Sequence, residues 1–91
     1  MTRQEIHQKV IEHYGELAQI NKCQEELREL SDALSNCEFL SGTGTKAGLR
    51  SEIADVLNCI HQQIIIHGLE GEEVSEEQDY KMNRTLERMK I

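Results

Sequence analysis

Apolar residues recur along this chain at helical intervals. Ile6, Val10 and Ile11 share a face early on, and Leu17, Ile20, Cys23, Leu27, Leu30, Leu34 and Cys37 follow at steps of three and four. Ile53, Val56, Leu57, Ile60 and Ile64 repeat the pattern in the second half. This is the period of an amphipathic helix packing through one stripe. Thr2-Arg3-Gln4-Glu5 has the form of a capping box, with Thr2 capping and Glu5 reaching back, so a first helix starts there. Gly15 should weaken that run, at about 1 kcal/mol for a helix interior; the pattern leaves open whether it breaks or bends. A second helix is predicted from about Glu16 to about Asn36, and a third from about Leu49 to His67 with Gly68 as its stop. Leu69 to Val74 reads as an acidic connector, and Ser75-Glu76-Glu77-Gln78 as a second capping box opening a last helix to about Lys90.

Four helices without strand-forming runs, apart from Ile64-Ile65-Ile66, predict an all-α fold of the four-helix-bundle type, in one domain over residues 1–91. The absence of Pro and Trp and the 3% aromatic content agree. A chain of 91 residues buries a limited core. The triple isoleucine makes the end of the third helix apolar around much of its circumference, which points to a subunit interface.

Charge and cysteines narrow the class. The formal net charge of -7 argues against a general nucleic-acid binder, which needs a basic face. A nucleotide substrate stays open, because a metal ion can carry the positive charge. Cys23, Cys37 and Cys59 fall on or near apolar stripes with no CxxC spacing, and read as reduced, buried residues of a cytoplasmic protein. No apolar stretch reaches membrane-spanning length, and the polar start MTRQEIHQK has no signal-peptide run.

The candidate chemistry lies between Lys22 and Ile66. Glu26 and Glu29 are i,i+3 partners on the second helix, with Glu25 beside them; Glu52 and Asp55 are i,i+3 partners on the third. Each pair therefore sits about 60° apart on one helical face. Relative to the apolar stripe, both pairs lie on the same flank, so packing stripe to stripe brings four acids together beside the seam. One ExxE alone marks a solvated face. Four converging carboxylates repel one another, and a hard divalent cation that takes oxygen ligands relieves them; Mg²⁺ is the ion usually shared with substrate phosphates. Ser41 to Gly48 is a polar loop that lacks GxxxxGK[ST] and follows no strand, so it reads as a mobile connector or lid and not as a phosphate cradle. Lys46 and Arg50 flank the second acidic pair, Lys46 reading as a solvated charge. Asn58 lies three residues beyond Asp55 on its face and is a candidate substrate contact. His61 faces away from the acids, and His7, His13 and His67 have no ligand spacing.

Glu25-Glu26-x-x-Glu29, a spacer over residues 30 to 51, and Glu52-x-x-Asp55 resemble the EExxE and ExxD signature of the MazG-type, all-α nucleoside triphosphate pyrophosphohydrolases. Gly15-x-x-x-Gln19-x-x-Lys22 is similar to the start of that family's first motif helix, and Lys81-x-x-Arg84-x-x-x-Arg88 to its C-terminal basic helix. Ala54 departs from the pattern, standing where many relatives have Gly before the Asp. The resemblance implies that Glu26, Glu29, Glu52 and Asp55 hold Mg²⁺, or Mn²⁺, and carry catalysis. It implies cleavage of a (deoxy)nucleoside triphosphate between the α and β phosphates, to monophosphate and pyrophosphate. Lys81, Arg84 and Arg88 would contact the substrate, and a homodimer or homotetramer would complete the bundle. The basic end of the last helix (Lys81, Arg84, Arg88, Lys90) also complements the helix dipole, which is a purely structural reason for it. Tyr14, Phe39 and Tyr80 are the only aromatics that could stack on a base. The alternative from another class is a non-catalytic helical oligomer serving as a nucleotide-binding or protein-interaction module.

Overall fold

The computed structural model describes residues 1–89; Lys90, the last of the predicted basic positions, lies outside the described residues. Four helices follow in order: α1 (Arg3–Tyr14), α2 (Glu16–Ser35), α3 (Lys46–Ile66) and α4 (Gly71–Met89). No strand occurs among the described residues. The capping box at Thr2 and Glu5 forms as the sequence requires. Gly15 breaks the helix outright: at φ 93° and ψ 153° it ends α1 and caps α2, and its N–H still donates to Ile11 O at 2.8 Å. This backbone region is close to glycine-only.

Two expected boundaries are corrected. α3 begins at Lys46, not Leu49, because the Thr45 hydroxyl accepts from the Gly48 N–H at 3.0 Å and caps the helix three residues earlier. α4 begins at Gly71, which places Ser75 inside the helix and leaves only Leu69 and Glu70 as connector. Glu72 and Glu73 occupy its first turn, where they complement the dipole in place of the predicted box. The stop at Gly68 (φ 64°) is a Schellman turn: Gly68 N–H donates to Ile65 O at 3.1 Å and Leu69 N–H to Ile64 O at 2.9 Å.

α2 and α3 form the main packed pair, and α1 packs across both. Gln63 Nε2 donates to Gln19 O at 3.2 Å, and the acids of α2 meet those of α3 further along, so the two helices run antiparallel. The seam departs from the predicted stripe. Its buried residues are Gln19, Cys23 and Glu26 on α2 and Val56, Cys59 and Gln62 on α3. Leu27, Leu34, Ile53, Leu57 and Ile60 are each more than 40% exposed. Glu26 therefore lies in the seam instead of on its flank, and about half of each apolar stripe faces outward. α4 covers little of this surface and buries none of its own residues. Val74, Met82, Leu86 and Met89 are exposed along one face of α4, within about 120° of arc. No helix among the described residues is long and apolar enough to cross a membrane.

Candidate metal centre

The centre of the α2/α3 seam is acidic. Glu26 comes from α2 and Glu52 and Asp55 from α3, and one carboxylate oxygen of each lies within 4.8 Å of the others. Helix spacing explains the convergence: Glu52 and Asp55 stand nearly one turn apart on α3, and antiparallel packing brings Glu26 opposite them. Burial is graded, with Glu26 only 5% exposed, Glu52 half-buried and Asp55 exposed.

Glu26 has one internal partner. Lys22 Nζ, one turn earlier, lies 3.1 Å from Glu26 Oε1, and this contact raises the lysine above its ordinary range. Oε2 of Glu26 and Oε2 of Glu52 are both buried without a hydrogen-bond partner among the described residues. A buried carboxylate oxygen left bare is costly, and buried charges are ordinarily paired or bound to metal. Three oxygen donors from carboxylates, two carrying bare buried oxygens, fit a hard divalent cation with room for further ligands.

Glu29 stands outside the three-oxygen cluster but within its field. Repulsion from Glu26, joined by that of Glu52, pushes the Glu29 carboxyl above the usual glutamate range. Glu25 is exposed. Asn58 borders the same cavity as Glu26 and Asp55. Lys81 instead borders a space between α3 and α4 lined by Leu57, Ile60 and Ile64. The Arg84 guanidinium lies 5.9 Å from the Tyr80 ring centroid, and Arg88 is exposed in the last turn of α4. Thus Glu26, Glu52 and Asp55 are brought together with Asn58 beside them, whereas Lys81, Arg84 and Arg88 do not line the cavity at the acids. Lys46 is 3.9 Å from Glu38 on the surface, a pair worth little at that exposure.

Several neighbours were not legible as site residues. Cys23 and Cys59 meet in the seam next to Glu26; burial raises both thiols, Cys59 to about 11. His7 is buried, and its ring stacks on His61 with centroids 5.7 Å apart. Gln62 Nε2 lies 3.3 Å from His7 Nδ1, and Gln62 Oε1 is buried without a partner. Nothing in the spacing of His7, His61 and Gln62 marks them as a group, since α1 and α3 meet only in the fold. In comparisons with known proteins, the chain matches no family model, and neither a curated protein nor a solved structure is significantly similar to it.

Proposed function

We propose that this chain is a Mg²⁺-dependent nucleoside triphosphate pyrophosphohydrolase of the MazG type, cytoplasmic and working as a homodimer or homotetramer. The observation that carries this reading is the pair of buried, unpartnered oxygens on Glu26 and Glu52, beside Asp55 in a cluster only 4.8 Å across. Glu26, Glu52 and Asp55 would hold the ion, Mg²⁺ or alternatively Mn²⁺. When bound, the ion supplies charge neutralisation for phosphate oxygens and makes water more acidic.

The chain's own residues divide the remaining work. Lys22 shields Glu26 from its acidic neighbours. Glu29, the one acid of the quartet left outside the three-oxygen cluster, would take the proton from attacking water. Lys81, Arg84 and Arg88 would steady the departing pyrophosphate from a second copy of the chain. The outward apolar faces of α3 (Ile53, Leu57, Ile60) and α4 (Met82, Leu86, Met89) favour such an assembly. The free thiols of Cys23, Cys37 and Cys59 fit a reducing compartment.

The test is pyrophosphate release from a panel of ribo- and deoxyribonucleoside triphosphates, with Mg²⁺ and with excess EDTA. Metal-dependent release with monophosphate as co-product is expected. Glu52→Gln should lose turnover and metal binding together while keeping the oligomer. Glu29→Gln should lose turnover and keep the metal. No release from any nucleotide by the folded protein overturns the reading and favours the non-catalytic module.

A further inference from the structure

The acidic cluster borders a cavity of about 490 Å³, whose walls include Tyr14 of α1, Gln19 of α2, and Asn58 and Gln62 of α3. Gln62 is the unusual member. It is only 6% exposed, its Nε2 is engaged by His7 Nδ1 at 3.3 Å, and its Oε1 is buried with nothing among the described residues donating to it. We propose that this cavity is a nucleobase subsite in which Gln62 Oε1 accepts from an exocyclic amino group, so that the substrate carries an amino-bearing base: cytosine, adenine or guanine. The inference rests on the triphosphate reading above.

The register along α3 fits a nucleotide. Asp55 and Gln62 are seven residues apart, nearly two full turns, so they share a face about 10.5 Å apart along the axis. That is roughly the reach from the first phosphate of a nucleotide to the edge of its base. Asn58 lies between them, about one turn from each, where the sugar falls. Tyr14 brings the only aromatic ring among the cavity's lining residues; it packs edge to face with His13 at 4.6 Å and is 63% exposed, which leaves surface for a planar base. Phe39 lines a different cavity, beside Leu34 and Thr45, and Tyr80 lies under Arg84.

His7 fixes the sense of the recognition. Its Nδ1 faces an amide N–H of Gln62, so it must accept, which requires a neutral ring. Burial, His61 and Arg3 all favour that neutral form. The Gln62 amide is thereby held with its carbonyl as the free end. An amino group on the base completes that carbonyl, whereas a keto group would set acceptor against acceptor. A site built around one hydrogen bond discriminates strongly against a ligand that cannot make it.

Three substrate pairs test the inference: dCTP with dUTP and dATP with dITP exchange amino for keto together with the hydrogen on the neighbouring ring nitrogen, and dGTP with dITP differ by the 2-amino group alone. The ratio of kcat/KM is measured in Mg²⁺, and the ratio of dissociation constants by calorimetry in Ca²⁺. The amino member should be favoured by about ten-fold or more in at least one pair. Gln62→Leu should bring that ratio near one. Equal handling of both members in every pair, or a preference for the member without the amino group, overturns the subsite while leaving the hydrolase reading intact. Absence of both turnover and Ca²⁺-dependent binding for every nucleotide overturns the two together. Should Gln62→Leu fail to fold, the wild-type ratios still decide.

Discussion

Lys22 Nζ sits 3.1 Å from Oε1 of Glu26, and the other oxygen of that carboxylate is buried and bare. One lysine thus neutralises part of a cluster that also holds Glu52 and Asp55. If the proposed ion binds this cluster in the folded state and not in the unfolded chain, cation binding is coupled to stability. With Mg²⁺ or Mn²⁺ at a hundred times its dissociation constant, a single site stabilises by about 2.7 kcal/mol. Scanning calorimetry should find a metal-dependent rise in Tm for the wild type and less than a third of it for Glu26→Gln or Glu52→Gln. Equal rises in all three proteins would place the ion elsewhere.

His7 makes the fold sensitive to mild acid. Its pKa is lowered from 6.5, first by burial and then by His61 and Arg3. Above pH 6.5 both folded and unfolded forms are neutral and the contribution is fully present. As pH falls, the unfolded chain takes the proton first, and stability is lost as pH drops through the folded pKa. Urea midpoints compared at about pH 7.5 and about pH 5.5 should fall more steeply for wild type than for His7→Gln. Parallel slopes would mean that His7 is not held neutral by the fold.

Gly15 supplies the turn between α1 and α2 through a backbone conformation that a side chain resists. A Cβ there would meet no atom within 4 Å, so any penalty of Gly15→Ala comes from backbone strain and not from a clash. The expected loss is about 1–3 kcal/mol in chemical denaturation. A loss under about 0.5 kcal/mol would indicate that α1 and α2 can join as one bent helix, the alternative that periodicity left open.

The outward stripe of α3 gives a separate prediction. Leu57 and Ile60 are 52% and 41% exposed, so replacing either with Glu removes little buried surface within one chain. Sedimentation should find wild type as a dimer or tetramer, and Leu57→Glu and Ile60→Glu as folded monomers. A monomeric wild type would overturn the assembly reading and leave these residues as ordinary surface.

Much of the architecture was legible in the sequence because helical periodicity and caps are local. Thr2, Glu5, Gly15 and Gly68 set their boundaries through bonds to residues within a turn. The all-helical class and the two acidic pairs followed from spacing alone. The misjudged starts of α3 and α4 are also local, since Thr45 outbids a Gly-rich loop as a cap and Ser75 lies where the helix was already running. What the sequence could not determine is the rotation of α2 against α3. That rotation puts Glu26 in the seam, leaves Leu57 and Ile60 outside, and brings Gln62 of α3 against His7 of α1 across 55 positions of sequence. Helical spacing says which residues share a face. Which face is buried depends on the competition among all faces for the few partners one small chain offers, and only the packed structure decides it.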